Sequence, residues 1–479
     1  MLQSKDIAKI QEVKTFFKNS WTQPEFFVKH LELFNFKKSS AMFCSVKTSG
    51  VPFWDLMKTL LILPFVGVKN IKGLSNNRFA PKTDGEKDVY YRGLGNQKVN
   101  WRRLLLLFVE RYLAFDKELS TPKDDFKCLI FDDSDLPKTG KKVEGVSKIY
   151  NHVTNRFIFG FKLLLAGYWN GSVFIPVDFS IHRECKEAKK KYGLTLKQRK
   201  KQKKTKRSNK TPAFKRFQEL NSKKTDMIVA MFKRVNKLGI EVDYILFDSW
   251  FTSLKLIDAL RSVNKNIQII GMYKYNSKVV IGQKIISIRN LRKYRKKMSR
   301  SRSIKLYYFE YVGEIDGVKV KLFLTRRGTN GAWHTVLSTD TRLTFTKAMK
   351  IYNTRWTIEV FFKEAKQLLG LGKCQSTNFD VQIAQTTITM IQYLMLSLKH
   401  RMEAYETIGG MFKDVNQDFI EHKLNERILV LVGEILNVLE LIVGDIDFNQ
   451  VISSLMQNSE ILAFAQRQPQ TENISKLAA

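Results

Sequence analysis

The sequence predicts an α/β protein whose sheet core is flanked by helical regions, and three observations carry that reading. Two short apolar runs end in acids, CLIFDDSD at 128–135 and YILFDSW at 244–250, as strands do when they emerge from a core. A longer stretch, FIFGFKLLLAGYWNGSVFIPVDFSIH, is two apolar runs joined by Asn170-Gly171, a strong hairpin signal. Between and after these lie segments with helical periodicity.

Taken in order, residues 1 to about 118 read as mainly helical, with periodic segments at 24–36, 52–65 and 100–115. The first strand and the hairpin follow, then a helix-compatible stretch at about 212–238, the strand YILFDSW, the helix FTSLKLIDALRSV and the strand IQIIGMY. Strand, hairpin, helix, strand, helix, strand is the order of an RNase H-like core. Further strands are expected at IKLYYFEYV, VKVKLFLTRR and WHTVLSTD before a helix that starts near Thr344. This β-rich segment, about 275–340, reads as an insertion ahead of the last core helix. Beyond 378 the chain is helical again, with TTITMIQYLMLSLKHRMEAYE and ERILVLVGEILNVLELIV, and the polar tail from Gln466 is expected to fray. Three regions result: 1–118, 119–378 and 379–479.

With 479 residues, 44% of them hydrophobic, the chain can bury full cores. Its 82 Lys and Arg against 45 Asp and Glu leave a net charge of +37, far beyond what solubility needs. That balance points to a polyanionic partner, nucleic acid before a membrane surface. Residues 186–217 carry 15 Lys or Arg against one Glu, and 284–305 carry ten with no acid. Read alone they are solvated loops, and the first is expected to be disordered without its partner. Cys44, Cys128, Cys185 and Cys374 form no CxxC pair, so neither a zinc ribbon nor a disulfide framework is indicated. The start lacks the core of a signal peptide and no apolar run is a clean membrane span, so a cytoplasmic, nucleoid-associated protein is expected. There is no GxxxxGK phosphate loop followed by Ser or Thr, hence no expected use of ATP, and no HExxH zinc site. Gly370 and Gly372 read as a helix stop.

The chemistry centres on YNTRWTIEVFFKEAK. Tyr352, Arg355, Glu359 and Lys366 fall at spacings of three, four and seven, within an arc of about 60° on one helix. Beside them runs an apolar stripe of Ile351, Ile358, Phe362, Ala365 and Leu369, so one side can pack while the other faces a cleft. Taken alone, this is an amphipathic helix with ordinary charge pairs. Upstream, Asp132, Asp133 and Asp135 follow the first strand, and alternation turns Asp133 to the face opposite Asp132. Asp248 ends the second strand, where its bland role is an N-cap for the next helix. Carboxylates on strand, strand and helix are what two-metal phosphodiester chemistry requires.

The spacing of Tyr352, Arg355, Glu359 and Lys366 resembles the YREK signature of bacterial insertion-sequence transposases of the DDE type, of the insertion-sequence family four kind. The resemblance runs from about 126 to 375, with a weaker likeness at 88–103. It implies Asp132, with Ser134 two positions on, as the first carboxylate and Asp133 as the alternate, followed by Asp248 and Glu359. These would hold two Mg2+ ions, for which Mn2+ can substitute. Tyr352, Arg355 and Lys366 would contact DNA phosphates, and Trp333 would stack on a flipped-out base or else serve as a core residue. The implied activity is binding of terminal inverted repeats, strand cleavage and strand transfer on double-stranded DNA, both transposon ends and target, by a homodimer. Residues 1–118 would then bind DNA, 119–378 would be catalytic, and 379–479 would serve dimerisation. The rivals are an RNase H-like nuclease without strand transfer and a non-catalytic DNA-binding descendant.

Overall fold

The computed structural model describes residues 34, 50–68, 70–76, 85–119, 124–185, 190–294, 298–328, 330–402, 407–417 and 457. The expected helices at 24–36 and 427–443 and the tail lie outside them, apart from residue 34. The chain divides into two compact units, one of residues 1–32, 62–83 and 410–479, the other of 33–61 and 84–409. The first is assembled from three separate stretches, so its parts meet only through folding. Within it Phe65 and Phe412 approach to 5.5 Å, and Asn416 Nδ2 donates to the Phe65 carbonyl at 2.6 Å. No helix among the described residues is long and apolar enough to cross a membrane.

The larger unit is built on a mixed twelve-stranded sheet. Its helices before the sheet are α1 (Phe53–Ile62, whose last residue falls in the other unit), α3 (Lys87–Leu94) and α4 (Trp101–Leu119); α2 (Ile71–Asn76) belongs to the smaller unit. The first strands are β1 (Cys128–Pro137), β2 (Ser147–Asn151), β3 (Arg156–Trp169) and β4 (Phe174–His182). Next come α5 (Leu196–Lys200), α6 (Pro212–Glu219), α7 (Lys224–Lys237), β5 (Tyr244–Phe247), α8 (Leu254–Arg261) and β6 (Gln268–Tyr273). Strand β3 lies antiparallel to β1 and β4, whereas β5 runs parallel to both β1 and β6. The near-continuous apolar runs are explained by burial: residues 161–168 of β3 and all of β4 are inaccessible.

The hairpin forms where Asn170-Gly171 marks it. Gly171 takes a φ of 99°, and Asn170 Oδ1 accepts from the Ser172 and Val173 amides at 2.9 and 2.8 Å. Near its end the β3–β4 register slips at Ala166/Gly167, and a Cβ on Gly167 would stand 2.0 Å from the Phe174 ring, so the site accepts no side chain. The stretch 212–238 is two helices, α6 capped by Thr211 with Pro212 in its first turn, and α7 after a break at 220–223.

Strands β7 (Lys278–Ile281), β8 (Lys284–Ser287), β9 (Ser299–Ser301), β10 (Leu306–Ile315), β11 (Val318–Arg327) and β12 (His334–Ser338) continue the same sheet, with α9 (Ile288–Leu291) between β8 and β9. The path is β2-β3-β1-β5-β6-β12-β11-β10-β7-β8, with β4 on β3 and β9 on β10. Three helices follow, α10 (Phe345–Asn353), α11 (Trp356–Gln367) and α12 (Phe379–Met402).

Three expectations are corrected. The helix expected from Thr344 is two, α10 and α11, parted at Thr354-Arg355. There Thr354 and Thr357 turn their hydroxyls back onto the carbonyls of Ile351 and Thr354, each at 2.7 Å, and side chains that compete for backbone acceptors bend or break a helix. The acids expected after the first strand lie inside it, because β1 continues to Pro137 in full register with β3. The basic run, finally, is not a free loop over its described part, 190–217. Arg207 sits with its side chain 3% exposed between Glu144 and Asp380, also buried, and bonds both through short bridges. Thr205 and Phe379 amides complete the shell of Glu144. Around this anchor Lys197, Lys200, Lys201, Lys203, Lys204, Lys206 and Lys210 remain exposed.

Candidate active site

Strand register brings the first two aspartates together. In the parallel pair β1–β5, Ile130 lies opposite Leu246, and continuing that register by two residues sets Asp132 beside Asp248. One step earlier Phe131 and Phe247 stack at 5.7 Å on the buried face, so the two acids share the opposite one. Asp248 does not cap α8, whose N-cap is Ser253; its Oδ1 instead accepts from the Trp250 and Phe251 amides at 3.0 and 3.1 Å. Asp132 Oδ1 is held likewise by the Asp133 amide at 2.7 Å.

Helix α11 supplies the third acid. Arg355, at its N-cap, binds Asp132 Oδ2 through Nη1 at 3.0 Å and Glu359 through Nη2, so one guanidinium ties strand to helix. The side chains of Arg355 and Asp132 are each 17% exposed and that of Glu359 is 34% exposed, which leaves Glu359 the most open to solvent. Burial pushes the Asp132 carboxyl up to about 7, with Arg355 pulling it down and Asp248 pushing it further up. Burial raises Asp248 as well. Burial works against the Arg355 charge, yet Tyr352, Asp132 and Glu359 hold it above the ordinary guanidinium value. Among the described residues no group of three or more His, Cys, Asp or Glu side chains stands close enough to enclose a metal ion.

The remaining positions separate into those that face this cluster and those that do not. Lys366 Nζ donates to Ser134 Oγ at 2.6 Å, two residues along the same face of β1 from Asp132, and burial lowers its pKa. The Tyr352 hydroxyl is buried, and burial pushes it up to about 12, with Arg355 pulling it down. Asp133 turns away, as alternation requires, and pairs with Lys224 of α7. Asp135 pairs with Lys162 on β3. Trp333, half-buried, stacks on Phe309 at 5.7 Å and 18° with Arg326 4.8 Å from its ring centroid. Sequence reasoning missed Lys224 and Trp250; the indole of Trp250 is 64% exposed although it follows Asp248 by only two residues. The signal available for it was that proximity alone.

Two family models match the chain. A transposase DDE domain covers residues 221–395, and a DDE superfamily endonuclease covers 61–290. Asp248 falls in both, Asp132 in the second and Glu359 in the first. Together they support a DDE-type transposase or endonuclease. No curated protein matches. Among solved structures, a piggyBac transposase synaptic complex with hairpin DNA is similar at 13% identity over 86% of this chain and 80% of that one, with a TM-score of 0.40.

Proposed function

We propose that the chain is a transposase of the YREK type that binds the inverted repeats at the ends of an insertion sequence and carries out metal-dependent strand cleavage and strand transfer. The observation that carries this reading is the Arg355 guanidinium that joins Asp132 of β1 to Glu359 of α11, with Asp248 of the loop after β5 brought beside Asp132 by the parallel register. The sheet order β4-β3-β1-β5-β6 supports an RNase H-like core, with β7 to β12 as its insertion.

The donor set suits Mg2+. It is all carboxylate oxygen, and burial disfavours the anionic form of both aspartates, with Asp248 adding to the effect on Asp132, a cost that a divalent cation relieves. Asp132, Asp248 and Glu359 would hold the ions, which when bound activate the attacking oxygen and stabilise the leaving one. The protein's own part is positioning. Arg355 offers a planar fork for two phosphate oxygens, Lys366 a point charge, and Tyr352 a hydroxyl donor. In the free protein Arg355 neutralises Asp132 and Glu359; on DNA the same fork would turn to the scissile phosphate. The exposed lysines around Arg207 would grip backbone without reading sequence.

The test is incubation with Mg2+ and a labelled duplex carrying the terminal repeat, beside scrambled DNA, with product mapping. Cleavage at the repeat end with joined or hairpin products is the expected result. Cutting of both duplexes without joining would replace it with a nuclease, and binding without cutting with a DNA-binding protein.

A further inference from the structure

Lys224 opens α7, far in sequence from the residues that it touches. Its ammonium pairs with Asp133 inside β1 and stands 5.0 Å from the ring centroid of Trp250 in the loop after β5. These two partners are not arbitrary. The Asp133 amide holds Asp132 Oδ1 at 2.7 Å and the Trp250 amide holds Asp248 Oδ1 at 3.0 Å. One cation therefore grips the side chains of the two residues whose backbones orient the two aspartates.

Packing alone does not fix Trp250. Its indole is 64% exposed, with an edge contact to Phe251 at 4.7 Å and the Lys224 ammonium over its face. The Lys224 side chain is 13% exposed, so its attraction to the ring and to Asp133 is only partly screened by water.

We propose that Lys224 is a positioning residue that clamps the middle of β1 to the loop after β5 at the separation a divalent cation needs between Asp132 and Asp248. This rests on the reading of those aspartates as metal ligands. Partners of this kind typically change metal affinity by about 10- to 100-fold when removed.

The sign of the effect separates positioning from simple electrostatics. Removing a cation beside an acidic site should tighten metal binding if charge alone matters, whereas losing the clamp should weaken it. The experiment is direct Mn2+ binding to the full chain, by electron paramagnetic resonance of the free ion, for wild type, Lys224→Met, Trp250→Ala, Trp250→Phe and Asp132→Asn, with thermal unfolding as a control of folding. Expected are binding weaker by about 10- to 100-fold in Lys224→Met, a smaller loss in Trp250→Ala, near wild-type binding in Trp250→Phe, and no further loss when Trp250→Ala is added to Lys224→Met. Unchanged or tighter binding in Lys224→Met, with binding lost in Asp132→Asn, overturns the clamp and leaves the metal site standing. Unchanged binding in Asp132→Asn overturns both. Should Lys224→Met fail to fold, the exposed Trp250→Ala decides: weaker binding upholds the clamp and unchanged binding ends it.

Discussion

Arg207 and Arg355 each bridge two carboxylates, and they do opposite things. Arg207 joins Glu144 and Asp380 with all three side chains 3–4% exposed, while Arg355 joins Asp132 and Glu359 at 17–34%. Around Arg207 burial raises Asp380, while Glu144 also accepts from the Thr205 amide and hydroxyl and from the Phe379 amide. Burial alone would raise the Glu144 carboxyl, but Arg207 and those amides hold it below the usual range. Around Arg355 the balance goes the other way. Asp132 is pushed up to about 7, and Glu359 stands 34% exposed. A sealed ion triad fixes a fold, whereas one that solvent can reach is poised for a ligand.

The sharpest break in that comparison is Glu359→Gln, nearly isosteric and on the open side. It should abolish metal-dependent cleavage while leaving DNA binding within a few fold and unfolding stability within about 0.5 kcal/mol. Full cleavage by this variant would remove Glu359 from the site. On the sealed side, Arg207→Met leaves Glu144 and Asp380 buried and unpaired, and urea unfolding should show a loss of about 3–5 kcal/mol. A loss below about 1 kcal/mol would mean that the triad relaxes into solvent.

His182 tests burial by pH. It is 2% exposed; its Nε2 accepts from the Ser180 hydroxyl at 2.7 Å and its Nδ1 donates to the Ser222 carbonyl at 3.1 Å, which satisfies the neutral ring. Burial, helped by Lys224, lowers its pKa from 6.5 to about 4. Because the folded pKa is depressed, the neutral ring's contribution is complete above about 6.5 and is lost as pH falls through 4. Relative to His182→Gln, the wild type should lose about 3 kcal/mol of stability over that window. Parallel pH curves for the two proteins would show the ring to be accessible to protons.

The smallest effects concern DNA. Arg355→Ala and Lys366→Ala should each weaken binding to the terminal repeat and reduce the salt slope by about 0.9. An unchanged slope would confine both residues to the contacts that they make in the free protein, with Asp132, Glu359 and Ser134.

Much of this was legible from local pattern. Apolar runs marked β1, β5 and β6, Asn170-Gly171 marked the hairpin, and the period of two sent Asp133 away from Asp132. The helix break at Thr354 was obscured because the residues keep a helical spacing and only the threonine hydroxyls divide them. The packing of Trp333 on Phe309 was not legible, because it depends on a strand 24 residues earlier in the chain.

What the sequence determined by itself is therefore what short-range sterics and hydrophobic periodicity encode: the elements, their inward faces and the acids that end or line them. Tertiary structure alone decided which charge meets which. Lys224 lies 91 residues from Asp133, Arg355 lies 223 from Asp132, and Arg207 lies 63 and 173 from its two acids. In a chain with 82 basic and 45 acidic side chains almost any pairing is possible on paper. Coulomb attraction becomes selective only where burial removes the water that would otherwise screen all of them alike.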